Sequence, residues 1–181
     1  MLNESKRLFF GIGLDDTAKG HIKAWLDKSV VGKKPHTKIQ NWHLTLAFLP
    51  NVQPDQQNQL VEFARSLQVA PFSLKFSATG YWPHNGIFYL QPDLIPQSLS
   101  LLAEPLRDKG SELDIYHNPF SFAPHITLFR SHKPCPEVAQ TIPPFSLTVK
   151  QFHLYHSYRC EERGLVYESI ETFLLNGEGE S

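Results

Sequence analysis

Asn41-Trp42-His43-Leu44-Thr45-Leu46-Ala47-Phe48-Leu49 and Pro124-His125-Ile126-Thr127-Leu128-Phe129-Arg130 are the two stretches on which the reading of this chain turns. Each holds a histidine, an apolar residue, a threonine and a second apolar residue in that order. In a strand, residues i and i+2 share a face, so His43 and Thr45 look one way while Leu44 and Leu46 look into a core. His125 and Thr127 repeat the arrangement, backed by Ile126 and Leu128. With nine histidines and eight threonines in 181 residues, a chance pair of such motifs is expected only about 0.002 times. One copy alone reads most simply as a packed histidine beside a strand-favouring threonine. Two matched copies read as a site.

The segments around these strands alternate between helix and strand patterns. Leu8 to Leu14 is a buried strand, followed by a helix capped by Asp15 or Asp16 with Ala18, Ile22, Trp25, Leu26 and Val30 on its stripe. Gly32 to Lys38 forms a basic loop before the strand Trp42–Leu49, which Pro50 is expected to close. Pro54 starts a second helix with Leu60, Phe63, Ala64 and Leu67 inward. Phe72, Leu74, Phe76 and Ala78 alternate as a half-buried strand. A turn at 82–86 leads to a short strand, Ile87–Leu90. A third helix carries Leu99, Leu102, Ala103 and Leu106; Pro105 should kink or shorten it, and Lys109-Gly110 should end it. The strand His125–Arg130 follows. The alternation of Phe145, Leu147 and Val149 changes phase at Lys150-Gln151, which suggests a bulge before Phe152 and Leu154. Leu165–Leu175 is the last strand, and 176–181 reads as a frayed tail.

A faint echo links the halves. His43-Leu44-Thr45-Leu46 precedes Pro71-Phe72-Ser73-Leu74, and His125-Ile126-Thr127-Leu128 precedes Pro144-Phe145-Ser146-Leu147. The order suggests two similar lobes in one domain spanning 1–181, each presenting one histidine strand.

Composition narrows the function. A hydrophobic content of 41%, a charged content of 19% and 13 Phe describe a globular chain, and no run is long enough for a membrane span. Seventeen basic against eighteen acidic residues fit a local phosphate site and not a protein that grips long duplex DNA in bulk. Cys135 and Cys160 make no disulfide framework and suit a reducing cytoplasm. A monomer is expected.

Two imidazoles and two hydroxyls facing one another would surround a small anion. With unperturbed pKa values near 6.5, one imidazole can be neutral while its twin is protonated. One then takes a proton from an attacking hydroxyl or water, and the other gives one to the departing oxygen. The threonine hydroxyls donate to non-bridging phosphate oxygens. This scheme requires neither a metal nor a cofactor, and no metal-ligand motif accompanies it; His153 and His156 fall on opposite faces of a strand.

These two stretches resemble the paired signatures of the 2H phosphoesterases, and within them the bacterial RNA 2′,3′-cyclic phosphodiesterases, also called 2′-5′ RNA ligases. Arg7-Leu8-Phe9-Phe10-Gly11-Ile12-Gly13-Leu14 is similar to that branch too. Pro50 departs from it, standing where glycine is expected. The resemblance implies an α+β, bilobal, pseudo-symmetric fold with two antiparallel sheets flanked by helices around a central cleft. It implies hydrolysis of a 2′,3′-cyclic phosphate on an RNA end or nucleotide to a 2′-phosphate, with 2′-5′ ligation as a side or reverse activity. By motif, His43 is the proton donor to the leaving 3′ oxygen, His125 the base that activates water, and Arg130 a phosphate or nucleotide contact. The residues alone do not distribute acid and base between the histidines.

Strand parity complicates two of these positions. A regular strand turns Arg130 away from the cleft, so its role requires the strand to twist or end there. Phe48 shares parity with Leu44 and Leu46, so it is expected in the core, with stacking on a base the alternative. His21, His36, His84, His117 and His132 are expected to be solvated, as is the loop of Lys33, Lys34, His36 and Lys38 unless it steers an RNA end. Two rival functions remain from the sequence: an RNA-end-binding module without turnover, and a cyclic phosphodiesterase acting on a small nucleotide or an ADP-ribose cyclic phosphate.

Overall fold

The computed structural model describes residues 4–177. Its strands are β1 (Lys6–Gly13), β2 (Val30–Val31), β3 (His43–Val52), β4 (Phe72–Trp82), β5 (Ile87–Pro92), β6 (Ile126–Phe129), β7 (Glu137–Val138), β8 (Phe145–Val149), β9 (Gln151–Cys160) and β10 (Gly164–Leu174). The helices are α1 (Asp16–Ser29), α2 (Pro54–Ser66) and α3 (Gln97–Glu112).

Eight strands run in the order β10-β9-β1-β3-β6-β5-β4-β8, every recorded pairing antiparallel, with β2 and β7 as a separate ribbon. The two expected lobes are the halves β10-β9-β1-β3 and β6-β5-β4-β8. They meet at one residue pair, Leu44 opposite Ile126. Both side chains are fully buried, each contributing roughly 1.5–3 kcal/mol by burial. The seam therefore holds the histidine strands together by their core-facing residues and leaves the opposite face open.

The helices lock the lobes across each other. Asp15 caps α1 by accepting from the Ala18 amide at 2.7 Å, and Ala18, Ile22, Trp25 and Leu26 are buried as the stripe predicts. Although α1 follows β1, it lies over the other lobe, with Trp25 against Phe88 and His21 against Phe145. Helix α3 crosses the opposite way, packing Gly110 under Leu49 of β3, where a Cβ would sit 2.9 Å from the leucine methyl. That packing explains Gly110 better than a cap does, since α3 runs on to Glu112. Pro105 does not break it. The carbonyl that Pro105 leaves without a donor belongs to Leu101, on the exposed face of α3, where water can serve it. Helix α2 starts at Pro54 with a Gln53/Gln56 capping box.

Three other expectations change. Pro50 lies inside β3, which runs to Val52; the β1–β3 register shifts between Leu49 and Val52, and a bulge is where a strand tolerates a residue without an N–H. The phase change at Lys150 is a crossing between lobes: β8 pairs β4 in one half and β9 pairs β1 and β10 in the other. The repeated Pro-Phe-Ser-Leu segments begin β4 and β8, which are direct neighbours in one lobe, Leu74 opposite Leu147. They do not mark equivalent places in two lobes, whereas the histidine strands do. Of the expected tail, 176–181, residues 178–181 lie outside the described residues, and within the rest the Gly177 amide is tied to the Val69 carbonyl at 3.0 Å.

Candidate active site

Extending the Leu44–Ile126 register by one residue either way sets His43 across from Thr127 and Thr45 across from His125. Directly opposed residues hold their Cβ atoms about 4.5–5.5 Å apart, so the two motifs form a diagonal square of imidazoles and hydroxyls. His43, Thr45, His125, Thr127 and Arg130 all line one cavity of about 260 Å³. All five residues singled out in the sequence are brought together.

Each imidazole is held by the same device. The Nδ1–H of His43 donates to the Asn41 carbonyl at 2.8 Å, and that of His125 to the Ala123 carbonyl at 2.8 Å. A carbonyl only accepts, so the proton on Nδ1 is fixed in both and Nε2 is left for chemistry. In His43, Nε2 lies 2.8 Å from Thr45 Oγ1; the hydroxyl donates while the ring is neutral.

Their surroundings differ. His43 is walled by Phe9 at 4.6 Å, Tyr167 edge-on at 5.1 Å and Tyr155 at 6.3 Å between ring centroids. Burial is the main cause that pulls its pKa down to about 4; the Asn41 carbonyl opposes this, and Arg130 and His125 add to it. His125 meets Trp82 and Tyr89, both edge-on. Its pKa is also lowered, chiefly by burial and further by Arg130, against the Ala123 carbonyl. The protein itself therefore keeps both imidazoles neutral at neutral pH.

Parity fails at both doubtful positions for identifiable reasons. In β6, Thr127 pairs Tyr89 while Phe129 pairs Phe88, which leaves Leu128 as the extra residue of a bulge; Phe129 is therefore buried, and Arg130 after it turns to the cavity. In β3, Gly11 pairs Thr45 while Phe10 pairs Ala47, which leaves Leu46 as the extra residue of a bulge. Beyond it the faces exchange: Ala47 and Leu49 are buried, and Phe48 joins the cavity wall. The expected core position of Phe48 is thus incorrect. The Arg7 guanidinium lies 4.5 Å above its ring. His132 also departs from expectation. It is buried, accepts from the Lys33 amide at 2.8 Å and donates to the Pro134 carbonyl at 2.7 Å, a structural histidine. The basic loop keeps Lys33, Lys34 and Lys38 exposed, but Thr37 pins it to β6 through the Thr127 and Leu128 carbonyls.

Phe9, Tyr155 and Tyr167 were not singled out from sequence. The signal for Phe9 is present, because Arg7, Phe9, Gly11 and Gly13 occupy the face opposite the buried Leu8, Phe10 and Ile12. Among the described residues no three of His, Cys, Asp and Glu gather as metal ligands do, so no residue is assigned to a metal. No helix is long and apolar enough to cross a membrane.

Comparison with known proteins agrees with this geometry. The model of the LigT-like phosphoesterases matches residues 12–89. The RNA 2′,3′-cyclic phosphodiesterase of Escherichia coli K12 is 30% identical over 161 residues, covering 86% of this chain and 89% of that protein. A phosphoesterase crystal structure superposes with a TM-score of 0.85 at 29% identity, over 96% of this chain and 99% of the other. Escherichia coli LigT complexed with 3′-AMP gives a TM-score of 0.82 at 30% identity, over 95% and 99%.

Proposed function

The chain belongs to the LigT-like phosphoesterase family, and from that premise we propose its reaction: hydrolysis of the 2′,3′-cyclic phosphate at an RNA end to a 2′-phosphate, with His43 and His125 as the acid–base pair. The observation that carries this reading is the shared cavity lined by both imidazoles, whose Nδ1 protons are held by matching carbonyl clamps so that Nε2 is the reactive nitrogen of each. His125 Nε2 takes the proton of water as its oxygen attacks phosphorus. The P–O3′ bond breaks, and His43 Nε2 gives its proton to the leaving O3′. Charge on the non-bridging oxygens is met by the Thr45 and Thr127 hydroxyls and the Arg130 guanidinium. One proton enters at His125 and one leaves from His43, so the pair resets by exchange with solvent.

His43 holds the acid role on physical grounds as well as by family resemblance. Its burial makes the charged form costly in the protein alone, and an arriving phosphate offsets that cost most strongly where solvent is excluded. A 5′-hydroxyl in place of water gives a 2′-5′ linkage through the same proton transfers, which is the ligase reaction. A pure RNA-end binder has no use for two imidazoles with fixed tautomers. The unpaired thiols Cys135 and Cys160 fit work in a reducing cytoplasm.

The test is turnover of an oligonucleotide ending in a 2′,3′-cyclic phosphate, with product identification. His43→Ala and His125→Ala each lower kcat by at least about 10²-fold, and excess EDTA leaves the wild-type rate unchanged. A folded variant of either kind with near-normal turnover, or a rate abolished by chelator, overturns the two-histidine mechanism.

A further inference from the structure

The cavity around the dyad shares its walls with neighbouring spaces that divide by histidine. Two of them, of about 450 and 220 Å³, reach His43 and not His125. A third, of about 470 Å³, reaches His125, Thr45 and Phe48 and not His43. In an in-line displacement the attacking and leaving oxygens stand on opposite sides of phosphorus. The acid on the leaving oxygen marks one side and the base on the nucleophile marks the other. The cyclic ribose therefore belongs to the His43 side, and whatever carries the nucleophile belongs to the His125 side. Water needs no space of that size.

The His125-side cavity has the chemistry of a single-stranded nucleotide site. Trp82, edge-on to His125 at 4.8 Å, and Phe48 stand at its inner end, and Phe120 at its outer end is 77% exposed. An aromatic ring left this open to water is a stacking platform of the kind that bases occupy. Arg107 is the one formally charged lining residue, and no carboxylate lines the cavity. Its guanidinium donates to the Phe120 carbonyl at 2.5 Å and approaches the Phe122 ring at 5.9 Å. It thus fixes the platform and leaves positive charge facing the space. The volume falls within the range of small-ligand pockets.

We propose that this cavity holds the first nucleotide of an RNA strand bearing a 5′-hydroxyl, the second substrate of ligation, with its base on Phe120 and its following phosphate toward Arg107. The inference rests on the proposed function and on His125 as the base. The 5′ oxygen forms the new bond to phosphorus and its proton goes to His125. The P–O3′ bond breaks, O3′ takes the proton of His43, and a 2′-5′ phosphodiester remains. No other reactant is needed. The cavity thereby sets how often the cyclic phosphate is joined to RNA instead of being hydrolysed.

The experiment offers one oligonucleotide ending in a 2′,3′-cyclic phosphate together with an oligonucleotide bearing a 5′-hydroxyl, and measures the ratio of ligated to hydrolysed product. Phe120→Ser lowers that ratio about tenfold, on the scale of a lost base–aromatic stack, and Phe120→Tyr restores it. Arg107→Gln raises the concentration of 5′-hydroxyl strand needed for half-maximal ligation. Because Phe120 is exposed, both of its variants keep the wild-type Tm. An unchanged ratio in Phe120→Ser overturns the proposal, as does a wild type that hydrolyses but never ligates. An equal loss of both products also overturns it, because the cavity then holds the cyclic-phosphate strand. A wild type that does not hydrolyse the cyclic phosphate refutes the proposed function instead, which keeps the two failures distinct.

Discussion

An oxyanion bound in the cleft should recruit a proton to His43, and the size of the effect follows from its surroundings. Its pKa of about 4 makes the imidazolium unfavourable at pH 7 by about 3 units, or about 4 kcal/mol. A unit negative charge about 4 Å away at an effective dielectric near 20 contributes about 4 kcal/mol of attraction, which brings the pKa of bound His43 close to 7. Sulfate is the suitable probe, because its charge does not change over this window and, as a dianion, it supplies at least the attraction of the unit charge. Between pH 4 and pH 7 its binding then takes up one proton, and its affinity falls about tenfold per pH unit, about 10³-fold in all. His125 also titrates and couples to His43, so the measurement is made in His125→Gln. Calorimetry at pH 5.5 in two buffers of different ionisation enthalpy reads the uptake, and NMR of the His43 ring assigns it. Sulfate that binds in the cleft with no proton uptake refutes the reasoning, because an acid that substrate cannot charge is no acid at neutral pH.

Two more consequences are open to measurement. Burial that lowers the His43 pKa gives stability that is complete above pH 6.5 and lost as pH falls toward 4, worth about 3 kcal/mol; the denaturant-unfolding free energy should decline over that window and flatten in His43→Gln. Gly80→Ala places a Cβ 2.3 Å from the Tyr89 ring, which packs edge-on against His125 at 5.5 Å. The strain should cost about 1–3 kcal/mol and lower kcat, read by thermal unfolding beside turnover; wild-type values for both show that Tyr89 does not brace His125.

The sequence carried the catalytic square because a period of two is a local rule, and His43, Thr45, His125 and Thr127 obey it with their apolar neighbours. It failed where the rule itself lapses. Phe48 follows a bulge at Leu46, and a bulge is set by how β3 pairs with β1, a fact about two strands far apart in the chain. Arg130 follows a second bulge, at Leu128, set by how β6 pairs with β5. His132 looked like one more loop histidine because its partners, the Lys33 amide and the Pro134 carbonyl, are brought to it by tertiary folding. The phase change at Lys150 was legible, but a crossing between lobes and a bulge leave the same mark on a single strand pattern.

The near-twofold arrangement about Leu44 and Ile126 poses a problem that the side chains resolve. Two identical clamps would give two equivalent imidazoles, and equivalent imidazoles cannot divide an acid role from a base role. The difference comes from the strand next to each histidine strand. Opposite Thr45, β1 has Gly11, and Phe9 two residues away leans on His43; opposite Thr127, β5 has Tyr89, which lies over Gly80 and leans on His125. On the first side Tyr155 and Tyr167 close further around the ring, and on the second the space stays open toward Phe120. His43 is thereby the imidazole whose charge depends on the phosphate, and His125 the one a nucleophile can reach. Exchanging these walls should exchange the roles: Phe9→Ala with Tyr167→Ala opens His43 to water, raises its pKa toward 6.5, and should flatten the dependence of sulfate affinity on pH below that point. A pKa that stays near 4 in the double variant would show that Arg130 and His125, and not burial by these rings, set the acid.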